Sequence, residues 1–407
     1  MTLKCLVLNL IMALAVVSAT AQDSLKAKPM EKEKPKEEAP KKWYDLMKIA
    51  GYAQVRYNRL LETNPNLTCE QCDRSIGNNG GVFIRRARVI FSGKLNDRIY
   101  YYVQPDFATN ASGTEVDRQN FLQIRDFYFD VFLDKKEEFR FRIGQSKEPY
   151  GFDNLQSRSR RANLDRSDAL NSAAPNERDL GLFFYYSPAS AQAKFKKMQT
   201  QVLKGTGDYG MFAFGVYNGQ SANVAEANNN LHVVARFAYP FETSKKNFEV
   251  GLQAYTGKFG VYKGVANSRQ HFKDERVGVS AVMFPQPFGF AVEYNVGNSP
   301  RFDLDAGAAL QGKLKGGYAL VNYAIKAGQQ IILPFARFQY YDGGKKHETD
   351  ARSYTVYETE FGLEWQPVAS FELTAAYNIA DRTYIDAAKP INNQYGSFLR
   401  LQAQVNF

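Results

Sequence analysis

The residues able to do chemistry are few and dispersed. His232, His271 and His347 lie far apart in the chain, and no HExxH, GxSxG or P-loop spacing occurs. A Ser/His/Asp site leaves no fixed spacing because it is assembled in space. With no other catalytic signal, the chain is expected not to be an enzyme and to need no metal or cofactor. Cys69-Glu-Gln-Cys72 is a single CxxC. One pair without a second is a weak zinc signal; in an exported loop its plainest reading is a local disulfide, with metal or redox work as the alternatives. The densest chemistry is cationic: Arg158, Arg160 and Arg161, with Lys147 before them and Arg166 and Arg178 after. Guanidinium groups stay charged and offer forked donors to phosphate or carboxylate. That chemistry steers or holds anions and breaks no bonds.

The elements that position these residues must lie outside the cytoplasm. Lys4, an apolar stretch from Cys5 to Val17 broken by Asn9, and then Ser18-Ala-Thr-Ala21 form a signal-peptide pattern over residues 1–21. Residues 22–46 follow as a charged tail, including KAKPMEKEKPKEEAPKK, with almost nothing apolar to bury. The remaining domain, 47–407, carries most of the 25 Tyr, 30 Phe and 30 Gly. No later stretch reaches the roughly 20 apolar residues of a spanning helix. Net charge is +10; setting aside the 8 lysines and 5 acids of residues 1–42 leaves a body of +7. The basic residues are dispersed, and export argues against a nucleic-acid partner.

From Ile49 onward the chain alternates with period two, the mark of a strand with two unlike faces. Leu399, Leu401, Ala403, Val405 and Phe407 share one face, and Arg400, Gln402, Gln404 and Asn406 the other. Some 16 such segments predict an all-β, antiparallel transmembrane barrel. Links after odd strands are long: Leu61–Gly81, Thr109–Asn120, Lys147–Asp179, Gly219–Asn230, Phe259–Asp274, Gly297–Lys313, Asp342–Ala351 and Thr383–Gln394. Links after even strands are mostly tight, as short periplasmic turns and long extracellular loops require. Pro188–Asp208 breaks the rule and reads as an enlarged turn or strand extensions, with Phe195–Leu203 as a conceivable extra strand.

A lumen of 16 strands is too wide to discriminate small solutes unless something narrows it. The link Lys147–Asp179, 33 residues long, is the segment expected to fold inward. Its Lys147, Arg158, Arg160, Arg161 and Arg166 are the candidate constriction and solute-binding residues, although the link balances 6 basic against 6 acidic residues. Alternation also turns Arg56, Arg86, Arg88, Arg140 and Arg142 inward from the first five strands. Glu358, Glu360 and Glu364 on strand fourteen and Glu372 on strand fifteen point inward as well. These wall charges either set up a field across the pore or satisfy one another. The function that follows is a passive channel for small hydrophilic solutes and ions; the alternative is a structural or adhesive barrel, plugged, with partner-binding surface loops.

Within Gly81–Tyr186 the sequence resembles the phosphate-selective porin O and P family. The resemblance runs through FIRRARVIFSGKL (83–95), YYYVQPDFA (100–108), IRDFYFDV (124–131) and FRIGQSKEPYGFDNLQSRS (141–159), and resumes at Asn176-Glu-Arg-Asp-Leu-Gly181. It implies a trimer of 16-stranded barrels in the bacterial outer membrane, among lipid and lipopolysaccharide. It also implies a third loop acting as the constriction through Lys147, Arg158, Arg160 and Arg161, and small anionic or neutral solutes. Phosphate uptake is the narrower implication.

Overall fold

A computed structural model of the chain describes residues 43–67, 81–109, 121–174, 178–262 and 269–407. Sixteen antiparallel strands follow one another around a closed ring. They are β1 (Lys48–Leu60), β2 (Gly81–Asn96), β3 (Ile99–Thr109), β4 (Phe121–Phe132), β5 (Phe139–Ser146), β6 (Asp179–Tyr186), β7 (Phe212–Tyr217) and β8 (His232–Thr243). The second half comprises β9 (Lys246–Tyr262), β10 (Arg269–Met283), β11 (Phe288–Asp303), β12 (Ala308–Tyr323), β13 (Gln330–Gly344), β14 (Ser353–Val368), β15 (Phe371–Ile385) and β16 (Asn393–Asn406). A three-residue segment, Ile325–Ala327, continues β12 and pairs with the same neighbour, β13. β1 pairs with both β2 and β16, so every strand has two partners and the sheet has no free edge.

The closing seam is made by the last residue. Gly51 N donates to the Phe407 carbonyl at 2.7 Å, and Phe407 N donates back to Gly51 O at 3.0 Å. A Cβ on Gly51 would fall on the Arg88 carbonyl and the Phe407 ring, so only glycine fits.

The two faces of the ring are inverted relative to a soluble protein. Val55, Phe127, Phe129, Leu182, Phe214, Leu252, Val279, Phe338, Phe361 and Leu363 are exposed outward, whereas Gln54, Arg56, Arg236, Arg276, Glu360 and Arg400 are buried inside. Apolar-out, polar-in is what lipid on one side and a polar interior on the other demand.

Three expectations are corrected. The links after β9 and β11 are short, at 263–268 and 304–307, not long. There the strands run on past the apolar band, where Lys273 and Glu275 replace valines on the outward face of β10 and the apolar/polar contrast fades. β7 begins at Phe212. The Pro188–Asp208 link contains neither an extra strand nor strand extensions but a helix, α3 (Ala189–Met198). Ala191, Phe195 and Met198 are buried on one face of it, a spacing of four and then three that suits a helix.

Candidate functional site

Two segments between strands, 147–178 and 187–211, bond to the polar face of the wall. The link between β5 and β6 holds two single-turn helices, α1 (Phe152–Leu155) and α2 (Asp168–Asn171), with a 3-10 turn Arg158–Arg160 between them. Its backbone is tied to strands from β10 round to β1. Phe152 and Asp153 N–H groups donate to the Glu293 carboxylate on β11 at 2.8 and 3.0 Å. Asp168 N donates to Gln339 on β13 at 2.7 Å, and Leu164 N to Glu360 on β14 at 3.3 Å. Arg276 on β10 donates to the Ala169 and Ser172 carbonyls at 2.9 and 3.0 Å. Gln404 on β16 and Gln54 on β1 reach the Ser159 and Arg158 carbonyls at 3.0 and 3.4 Å.

The candidate cations of the link divide by role. Lys147 Nζ caps the Leu155 and Gln156 carbonyls at 2.7 and 3.0 Å. Arg166 does the same for Asp153, Asn154 and Gln156. Both therefore hold the link's own shape. Arg161 lies 3.6 Å from Asp153. Arg160 is half-buried and, among the described residues, has no carboxylate partner; burial lowers its pKa somewhat while the phenols of Tyr102 and Tyr209 oppose that. Burial also opposes ionisation of Asp168, but Arg382 at 3.0 Å and Lys345 at 2.6 Å outweigh it and hold the carboxyl well below the usual range.

The wall arginines all lie inside, mostly beside acids that sequence reasoning passed over. Arg88 meets Asp106 at 2.6 Å, and Arg142 grips both oxygens of Asp130 at 2.7 and 2.8 Å. Arg140 reaches Asp208 at 3.3 Å, and Arg56 reaches Asp165 at 3.3 Å. Arg86 donates to Gln54 at 2.8 Å. The glutamates are bridged in turn. Glu358 and Glu360 contact Arg337 at 3.5 and 2.8 Å, Arg382 binds Glu358 at 2.5 Å, and Arg400 lies 3.3 Å from Glu360. Glu372 accepts from Asn406 at 3.0 Å. Asp106 and Asp130 sit in register with the arginines they meet, on the same inward face, a signal that was available.

At the end of the barrel where β1 begins and β16 ends, the 187–211 turn places Lys204, whose Nζ meets Glu364 at 2.7 Å. Gln156 of the long link donates to the Lys204 carbonyl at 2.6 Å, so the two segments touch. A cavity of about 30 Å³ lies there, lined by Phe152, Gln156, Leu203, Lys204, Phe284 and Tyr318 among others.

Two of the three histidines lie near one carboxylate, Asp274. His232 bonds Asp274 at 3.2 Å, His347 packs its ring 4.7 Å from Phe259, and His271 is exposed. Cys69, Cys72 and residues 1–42 lie outside the described residues.

Residues 68–407 match the model of the family described as phosphate-selective porin O and P. The chain belongs to that family. Membership makes the porin a bacterial outer-membrane channel protein. Its barrel is similar to the outer-membrane channel DcaP of Acinetobacter baumannii, with TM-score 0.53, 13% identity, and 89% of this chain and 97% of that one covered. It is also similar to OmpF of Salmonella typhi, solved with daunomycin, with TM-score 0.54, 13% identity and the same coverage. At such identity these likenesses speak for the shared fold alone. No curated protein matches the sequence significantly.

Proposed function

We propose that this porin is a passive diffusion channel for small hydrophilic solutes and ions, narrowed by the 147–178 link and weakly anion-preferring. The observation that carries the reading is the pattern of bonds from that link to β1, β10, β11, β13, β14 and β16. A segment bonded to opposite sectors of one ring crosses the space between them. Its cluster Arg158, Arg160 and Arg161 supplies the anion preference. Their field acts over roughly a Debye length, about 8–10 Å near physiological salt, so the preference fades as salt rises. Replacing the three by Gln is expected to move the reversal potential in a KCl gradient toward cations; an unchanged potential sinks the assignment. Phosphate is expected to block the chloride current weakly, because the link's acids offset its arginines.

One observation favours the plugged barrel instead: Arg56, Arg276, Arg382 and Arg400 face the interior with at most 1% exposure. A refolded protein that passes no current in a planar bilayer would decide for it. Cleavage after Ala21, a homotrimer, and lipid with lipopolysaccharide around the outer face belong to the same porin reading. Mass spectrometry of the mature chain and crosslinking in membranes test the first two.

A further inference from the structure

One hairpin of the ring outruns its neighbours. β12 pairs with β11 as far as Ala308, whereas its pairing with β13 ends at Lys315, opposite Asp342. Beyond Lys315 no strand pairs with the β13 side of the hairpin among the described residues. β13 continues along β14 instead, to Gly344 opposite Ser353. A cavity of about 900 Å³ opens where the two paths part, lined by Val296, Asn298, Lys313, Lys315, Asp342 and Ser353 among others. That lies within the roughly 300–1,000 Å³ of ordinary ligand clefts. Its level on the barrel is marked by a row of residues in register across β11 to β14: Tyr294, Gly317, Tyr340 and Tyr357. Tyr294 and Tyr357 are exposed on the outer face, and the Tyr340 and Tyr357 rings lie 5.0 Å apart. Outward tyrosines of this kind sit where hydrocarbon gives way to lipid headgroups. Lys315 and then Lys313 follow Gly317 at two-residue steps, exposed on the same face and nearer the hairpin tip. The acids of the cavity are already engaged: Arg301 holds Asp342 at 2.9 Å, and Asp303 accepts from Ala306 N at 2.9 Å. Lys313 and Lys315 have no carboxylate partner among the described residues.

We infer that this cleft seats a phosphate of a glycolipid from the surrounding leaflet, held between Lys313 and Lys315, with the acyl chains passing Val296 and Tyr294. Two ammonium groups on one face repel each other, and a phosphate between them replaces that repulsion with two charge-assisted hydrogen bonds. Val296 and Tyr294, exposed on the outer face, lie next to the lysines and continue into the apolar band. An uncharged headgroup leaves the lysines unused, and a free phosphate leaves Val296 and Tyr294 uncovered, so the surface selects a phosphate carried on acyl chains. The inference deepens the proposed lipid surroundings of the barrel and does not depend on the pore being open.

The test uses full-length porin refolded in detergent micelles with phosphatidylcholine and graded lipid A, a bis-phosphorylated glycolipid. Native mass spectrometry reads the lipids that each barrel retains. Saturable retention of lipid A is expected, and its dephosphorylated form should be retained no better than phosphatidylcholine. The half-saturating concentration should rise about tenfold in the double variant Lys313→Gln/Lys315→Gln and little in Lys313→Arg/Lys315→Arg. Lys258→Gln/Lys273→Gln, which removes two exposed lysines of β9 and β10, should leave it nearly unchanged. Equal retention of dephosphorylated lipid A, equal losses in the two glutamine variants, or displacement by millimolar inorganic phosphate would overturn the site. The parent's preference between the two forms of lipid A decides even if a variant fails to fold. A parent that retains phosphatidylcholine but no lipid A overturns the site alone; one that retains neither overturns the lipid-facing reading with it.

Discussion

Two sectors of the wall carry charge in different ways. Between β2 and β5 the in-register pairs are cross-strand: Arg88 sits opposite Asp106, and Arg142 opposite Asp130, while Asp126 and Arg140 reach Arg178 and Asp208 outside the strands. Between β13 and β16 the charges are shared with the 147–178 link. Arg337 donates to the Asp165 carbonyl at 2.6 Å as well as to Glu360, Arg400 binds the Asp165 carboxylate, and Arg382 joins Asp168 to Glu358. The first sector holds wall to wall; the second holds the link to the wall. Damage to the first should therefore cost the barrel, and damage to the second should free the link.

The sharpest break is Asp130→Leu. It leaves Arg142 buried without a carboxylate, a situation that costs about 3–5 kcal/mol, and the denaturant midpoint of the refolded barrel should fall accordingly. Surviving channels should conduct normally; an altered conductance with unchanged stability would invert the comparison. Asp165→Asn comes next. Arg56 keeps Gln402 and Arg400 keeps Glu360, so the stability loss should be about 1–3 kcal/mol. Its main effect should be a larger, noisier single-channel conductance as the link loosens.

Smaller still is an acid effect on the 345–352 link, which braces the second sector through Lys345 and Asp168. Burial and the adjacent Lys346 cation push His347 well below its ordinary value. The folded form keeps it neutral, whereas the unfolded chain protonates it near pH 6.5. Stability should therefore decline as pH falls through about 6.5 and keep declining until the folded ring titrates. Melting curves at pH 7 and pH 5 should differ less in His347→Phe than in the parent. The smallest effect is expected from Lys94→Ala, which removes an exposed pair with Glu137 and should shift stability by no more than about 0.2–1 kcal/mol. A larger loss there would show that exposed pairs matter as much as interior ones.

The strand count and the parity of Arg56, Arg86, Arg88, Arg140 and Arg142 were legible because alternation encodes which side each residue faces. The partners were not, since register is fixed in space: nothing in the sequence near Glu358 announces Arg382, nor near Asp165 the approach of Arg400 from 235 residues away. The partners of Lys147 and Arg166 were hidden for a similar reason. A cation in a long link looks available to solute until the link's own carbonyls are seen to occupy it. α3 escaped notice because ten residues between strands give a weak helical period, and a turn was the expected content there.

The seam between Gly51 and Phe407 also governs timing. The first strand to leave the ribosome has one of its two partners at the opposite terminus, so its hydrogen bonds on that side stay unmet until the final residue has been exported. In hydrocarbon an unmet strand edge is not tolerated. Insertion is then expected to be nearly all-or-none, and a barrel lacking Phe407 would lose the Phe407–Gly51 pair that completes the seam.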